Sequence, residues 1–204
     1  MSRSQPVFHL AAKSGLIAAA TAADSVLFAW RNPSLVAVQF LHRLEVRVQT
    51  VTGFSAAFEN AIEARDVSSF AAANYAGGTD LSHPTTEANK AYRRISVDPM
   101  IKPKAESILE SGNVRIATTV TLTHAGSPVI ASHPFAYGSV GELITGDTIP
   151  RGLPGFVWEQ PVVNDVRVPR ALLPDAGFVL RNPIATAAGG TIRLFVSAVF
   201  SDKS

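Results

Sequence analysis

The clearest signal in the chain is an alternation of apolar and polar residues with a period of two. From residue 36 to 50 the even positions are Val36, Val38, Phe40, His42, Leu44, Val46, Val48 and Thr50, and from Gln39 the odd ones are Gln39, Leu41, Arg43, Glu45, Arg47 and Gln49. Successive side chains of a strand point to opposite faces, so this run predicts a long strand with its even face in a core and its odd face mostly in water. Val114, Ile116, Thr118, Val120 and Leu122 alternate with Arg115, Ala117, Thr119, Thr121 and Thr123, and predict a second strand rich in residues that suit a pleated surface. A third runs through Ile192, Leu194, Val196, Ala198 and Phe200, where Phe195 and Val199 add apolar groups to the opposite face. Shorter strands are predicted over 16–22, 26–31 and 177–181, each bounded by Gly, Asp, Asn or Pro. Phe54, Phe58 and Ile62 are spaced by four, which predicts a short helical turn followed by a strand over 62–70. The Ala-rich stretch 11–23 has helical propensity, but Gly15, Thr21 and the Val-Leu-Phe run that follows favour extended chain.

Proline sharpens the picture. None occurs between Ser34 and His83, whereas Pro128, Pro134, Pro150, Pro154, Pro161, Pro169 and Pro174 crowd the later half. Each removes a ladder donor, so strands in that region are expected to be short or to lie on edges. Gly77 to Lys90 reads as an exposed loop. Long alternating strands joined by irregular loops predict an all-β fold, two antiparallel sheets packed face to face in a jelly-roll-like sandwich. Residues 1–14 are expected to form an extended N-terminal arm and 15–204 a single domain. At 204 residues and 47% apolar side chains, one core is large enough to need no disulfide or metal.

Charge and composition exclude several classes. Eighteen Lys and Arg against sixteen Asp and Glu leave +2, which is no dense positive field, so nucleic acid is not an expected partner. Arg outnumbers Lys, and Arg makes the planar bidentate contacts common at interfaces. The absence of Cys removes thiolate-metal sites, disulfides and thiol nucleophiles. No stretch approaches about 18 uninterrupted apolar residues, so no helical membrane span is expected. Lys13 and the Ala-rich run to Ala23 loosely match a secretory leader, but Pro6 and His9 ahead of that run break the pattern.

Candidate chemistry is sparse. The chain holds no phosphate loop, dinucleotide fingerprint, Gly-x-Ser-x-Gly elbow or zinc-binding helix motif. His9, His42, His83, His124 and His133 include no pair at close metal-ligand spacing. His42 falls on the apolar face of its strand, where a hydrogen-bonded core histidine is the simpler reading, and His83 and His133 precede Pro in loops. Glu106 and Glu110 share a helical spacing and fit a solvated turn, and Glu142 with Asp147 lacks the remaining ligands of a calcium loop. Trp30, Trp158, Tyr75, Tyr92 and Tyr137 are scattered, which favours packing over a sugar or base platform. No catalytic residue, cofactor-binding residue or metal ligand is assigned. Arg43, Glu45 and Arg47 form a charged stripe, read either as a solvated face or as an intersubunit contact.

Two stretches carry a resemblance. Asp24-Ser25-Val26-Leu27-Phe28-Ala29-Trp30-Arg31 leads to the long strand Leu41-His42-Arg43-Leu44-Glu45-Val46-Arg47-Val48 and Thr52-Gly53-Phe54; Gly177-Phe178-Val179-Leu180-Arg181-Asn182 leads to Gly190-Thr191-Ile192-Arg193-Leu194-Phe195-Val196-Ser197. Together they resemble tailed-bacteriophage virion proteins with jelly-roll folds, of the kind that decorate or cement capsids. The resemblance covers about two fifths of the chain and supplies no catalytic residues. It implies a non-enzymatic virion protein on the capsid exterior, assembled in the host cytoplasm. The implied partners are the major capsid protein or other virion proteins, together with further copies of this chain, most simply as a trimer. The expected assembly surface is Arg43, Glu45, Arg47, Phe195 and Val199, with the N-terminal arm reaching a neighbouring subunit. The competing readings are a tail or neck component, a coat protein that packages nucleic acid, and a carbohydrate-binding module or sandwich-fold enzyme.

Overall fold

The structure is a computed structural model that describes residues 7–32, 38–54, 58–71, 73–81, 91–92, 113–143 and 155–203, with backbone alone at 58–60, 91–92, 139–143 and 202–203. All regular elements among these residues are strands. In chain order they are β1 (Val7–Lys13), β2 (Ile17–Ala18), β3 (Ser25–Arg31), β4 (Val38–Thr52), β5 (Phe58–Ser69) and β6 (Thr79–Asp80). There follow β7 (Ala91–Tyr92), β8 (Val114–Ile116), β9 (Val129–Ile130), β10 (Ala136–Leu143) and β11 (Gly155–Glu159). The last are β12 (Val162–Val163), β13 (Val166–Arg167), β14 (Arg170–Leu172), β15 (Gly177–Asn182) and β16 (Thr191–Lys203).

Two antiparallel sheets form a sandwich. Sheet A runs β11-β4-β16-β1-β7, with β14 also on β4 and β2 on β16; sheet B runs β10-β5-β15-β3-β8-β6, with β9 on β5. The long-range pairs are nested. β1 pairs β16 and β4 pairs β11 in sheet A, while β3 pairs β15 and β5 pairs β10 in sheet B.

Each sheet turns one face to a common core. Leu44, Val46 and Val48 of β4, Leu194, Val196 and Phe200 of β16 and Phe8 and Leu10 of β1 meet Phe28, Trp30, Ile62, Phe178 and Leu180 of sheet B. Burying each large apolar side chain contributes about 1.5 to 3 kcal/mol before conformational entropy is set against it. Trp30 stands edge-on to Phe200 at 4.6 Å between centroids, and its Nε1 donates to Gln39 Oε1 at 2.9 Å, which ties β3 to β4 across the sandwich.

The alternation in β4 holds only in part, because the even-position core begins at Leu44. Val199 faces Arg43 and Phe200 faces Leu41, leaving His42 as an extra residue in a bulge. A bulge shifts phase by one, so upstream the buried residues are Gln39 and Leu41. His42 is half-buried there, donating from Nδ1 to Gln160 Oε1 at 3.0 Å and accepting at Nε2 from Ser201 Oγ at 2.8 Å.

Other expectations change. No helical turn forms at Phe58, where β5 already begins; pairing with β10 overrides the four-residue spacing. The strand expected over 114–122 stops at Ile116. Beyond it, Ala117 O and Thr119 O accept from Gly15 N and Ala18 N, and the chain returns to sheet B only where Leu122 N donates to Val26 O. Residues 7–13, expected in a free arm, form β1, hydrogen-bonded along its whole length to 195–201. Phe8 and Leu10 give that segment its own apolar face, which is why it joins the sheet. Residues 1–6 lie outside the described residues, as do the 82–90 part of the expected loop, His83, Glu106, Glu110 and Asp147. The proline-rich region behaves as predicted: β10, β11, β14 and β9 all lie on outer edges.

Candidate functional site

The outer faces of the two sheets differ, and the difference is written in the strands. β3 is buried at every position from Val26 to Trp30, and β15 from Gly177 to Leu180, because sheet B is covered on both sides. Its outer cover is a second apolar cluster in which Phe70, Tyr75 and Leu122, from loops, pack on Val26, Ala29, Val67 and Val179. β1 and the downstream half of β4 alternate between buried and exposed or half-buried positions, so the outer face of sheet A keeps its contact with solvent.

Register brings the five expected assembly residues together on that face. Glu159, Arg43, Val199 and His9 form one row across β11, β4, β16 and β1. Val157, Glu45, Ser197 and Ala11 form the next, and Gly155, Arg47, Phe195 and Lys13 the third. Glu45 sits between two cations, with Arg43 Nη2 at 2.9 Å from Oε2 and Arg47 Nε at 2.9 Å from Oε1. Arg43 Nε also donates to Glu159 Oε1 at 3.2 Å. The Arg43 and Arg47 side chains remain 42% and 44% exposed. Exposed pairs of this kind contribute about 0 to 1 kcal/mol each, so they pattern the surface more than they stabilise the fold. Phe195 and Val199 are half-buried beside them, and Val157 is exposed on the neighbouring strand. The resulting patch is an apolar floor fringed by paired guanidinium groups.

A second polar cluster, which the sequence reading missed, lies on the outer face of sheet B. Glu63 is almost fully buried, yet it is ionised between two arginines. Arg65 donates from Nε to Oε1 at 2.5 Å and from Nη2 to Oε2 at 3.0 Å, and Arg181 Nε also donates to Oε1. Arg181 reaches on to Asp24 at 3.1 Å, and Arg65 caps Ala131 O and Ser132 O in the covering loop. Burial by itself would raise the Glu63 carboxyl, but the hydrogen bonds and charges of Arg65 and Arg181 outweigh it and hold it below the usual carboxylate range. Burial likewise pushes the Tyr75 hydroxyl up, against the pull of Arg181. The signal was present as Glu63 and Arg65 two apart on a strand, hence on one face. This cluster pins the loop cover to sheet B and presents no open cleft chemistry.

Among the aromatic candidates whose side chains are described, which leaves out Tyr92, no platform forms. Trp30 is in the central core, Tyr75 in the outer cluster of sheet B, Trp158 packs edge-on to Phe135 at 5.6 Å, and Tyr137 is exposed. His124 accepts at Nδ1 from Gly126 N at 3.0 Å and donates from Nε2 to Ala73 O at 3.1 Å, which makes it a loop staple. Among the described residues no group of three or more His, Asp or Glu is placed to hold a metal ion, and no helix is long and apolar enough to cross a membrane. Compared with known proteins, the chain matches no family model, and neither a curated protein nor a solved structure is significantly similar to it.

Proposed function

We propose that the chain is a non-enzymatic structural subunit of a virion, one that decorates or cements a tailed-phage capsid by burying the outer face of sheet A against the shell. The observation that carries this reading is the contrast between the two faces. Loops and an internal ion cluster seal sheet B, while sheet A presents Arg43, Glu45, Arg47, Phe195 and Val199 as one contiguous, solvent-facing patch. Apolar floor with Arg at its margin is the composition of protein interfaces. The nested strand order supports naming the sandwich a jelly roll, in line with the sequence resemblance. Contacts that exist only in the assembled shell stabilise that shell by mass action, which is how such a subunit would act.

The test is co-sedimentation of the protein with capsid shells, comparing the wild type with the variant Arg43→Glu, Arg47→Glu. Shells should retain the wild type and release the variant, with both chains equally folded by circular dichroism. Equal retention of both would remove the face from the reading. Retention on tails or necks instead of shells would relocate the protein within the virion.

A further inference from the structure

β11 and β14 both pair antiparallel with β4, and their registers are consecutive: Glu159 faces Arg43 and Arg170 faces Leu41. They are one edge strand interrupted by residues 160–169, opposite the bulge at His42. The neck of the interruption is closed by Gln160 N donating to His42 O at 3.0 Å and Val168 N to Pro161 O at 2.9 Å. Beyond it β12 and β13 form a hairpin that belongs to neither sheet, with a tight turn at Asn164 and Asp165, both at positive φ. Val162, Val163, Val166 and Val168 are all exposed, Val162 and Val166 by 61% and 62%, and Leu173 beyond β14 adds a fifth apolar group. An isolated two-stranded hairpin is marginal in water, and one carrying exposed valines gains stability only when something covers them.

The opposite end of the sandwich carries a second apolar surface. Ala18 N donates to Thr119 O, Ala20 N to Ala187 O and Thr186 N to Thr21 O, which gathers three loops into one end face. Leu16, Val120 and Ile184 are exposed on those loops. The hairpin sits beside His42 and the end face beside Thr52, which β16 links to Ala18, so the two surfaces are about 33 Å apart along β4 at about 3.3 Å per residue. Charges match as well: the hairpin has Asp165 and Arg167, and the end face is flanked by Lys13 and by Asp24, itself 62% exposed.

We infer that the 161–168 hairpin of one copy seats on the Leu16, Val120 and Ile184 end face of a second copy, in a head-to-tail contact. The excursion 160–176 and the three end loops each offer about 20 residues, close to what a standard interface of about 800 Å² per partner draws from one side. Such a contact joins unlike surfaces, so it repeats until a ring closes or a filament grows. It uses none of Arg43, Glu45, Arg47, Phe195 and Val199, so it goes beyond the capsid-binding reading and fails or stands separately from it.

The experiment uses three chains: wild type, a hairpin variant (Val162→Asp, Val166→Asp) and an end-face variant (Val120→Asp, Ile184→Asp). Absolute mass by light scattering is followed across concentration, with circular dichroism confirming the fold. Wild type should form a multimer and each variant a monomer. An equimolar mixture of the two variants should give a one-to-one dimer and nothing larger, since only one competent hairpin and one competent end face remain. Val166→Thr, nearly isosteric, replaces the charged hairpin variant if that chain unfolds, and should weaken assembly in the same direction. A monomeric wild type, multimers untouched by either variant, or a mixture that stays monomeric would each overturn the inference. Arg43→Glu with Arg47→Glu should leave the multimer intact, which separates this contact from capsid binding.

Discussion

Replacing Glu63 with Gln tests the reading of the sheet B cluster, because the change keeps shape and removes only the charge. The Glu63 side chain is 3% exposed, and the side chains of Arg65 and Arg181 that clamp it are 15% and 16% exposed. In Glu63→Gln one oxygen survives as an acceptor, but the amide nitrogen then opposes Arg65 Nη2, donor against donor. Arg65 loses its anion, and Arg181 keeps only the more exposed Asp24. Removing one partner of a buried pair costs about 3 to 5 kcal/mol, and the partial exposure of both arginines places this case at about 3. For a chain of this length that is a fall of about 6 to 12 °C in melting temperature, at about 2 to 4 °C per kcal/mol.

The pH dependence follows from the lowered carboxyl. A group whose folded value is depressed contributes stability that is complete above its unfolded value, near 4.5, and lost as pH falls through the folded value. Urea unfolding of both chains should show the full gap at pH 7 and a narrowing gap below pH 4.5, where Glu63 protonates first in the unfolded chain and only at lower pH in the folded one. A variant within about 0.5 kcal/mol of wild type at pH 7, the range of ordinary surface changes, would refute the clamp. So would a gap that stays constant through the acid range.

Other expectations follow from the same geometry. Leu194→Ala, at a fully buried position of β16, should lower stability by about 2 to 5 kcal/mol in chemical denaturation. Gly177→Ala would put a Cβ 1.8 Å from Trp30 O across the β3–β15 pair, so it should cost at least about 1 to 3 kcal/mol, whereas Gly77→Ala meets nothing closer than 3.8 Å and should pay only for its positive φ, a contrast that thermal melts would reveal. Trp30→Phe leaves Gln39 Oε1 without this donor and should cost about 1 to 3 kcal/mol for that group alone, read by denaturation and by the near-ultraviolet dichroism of the core. Deleting residues 1–12 should lower stability by removing Phe8, Leu10 and Ala12 from the core, so a binding defect in that truncation is interpretable only alongside its melting curve.

How far the sequence could be read depended on whether a local pattern coincided with a tertiary one. Alternation in 44–48 and 192–200 showed the core side of sheet A directly, whereas 26–31 and 177–181 read only as short strands, and their burial on both faces comes from loops that cover sheet B. Proline density placed the edge strands, because a missing donor is tolerated only where no neighbour needs it. What failed was set at a distance. The phase change at His42 depends on the register with β16, which no window of β4 contains. The early end of the 114–122 strand depends on Gly15 and Ala18 competing for its carbonyl groups. The helical spacing at Phe54 and Phe58 was a coincidence that strand pairing overrode. The five assembly candidates fell on one face because two of the best-read strands, β4 and β16, are neighbours. Glu63 escaped notice because its burial comes from loops whose cover of sheet B is not written in β5 itself.

The most direct measurement is retention of the protein on capsid shells, with wild type and Arg43→Glu, Arg47→Glu compared by co-sedimentation at matched concentration. Burial of the outer face of sheet A predicts that shells carry the wild type and lose the double variant while both keep the same melting curve. Shells that bind neither chain, or bind both alike, would contradict it.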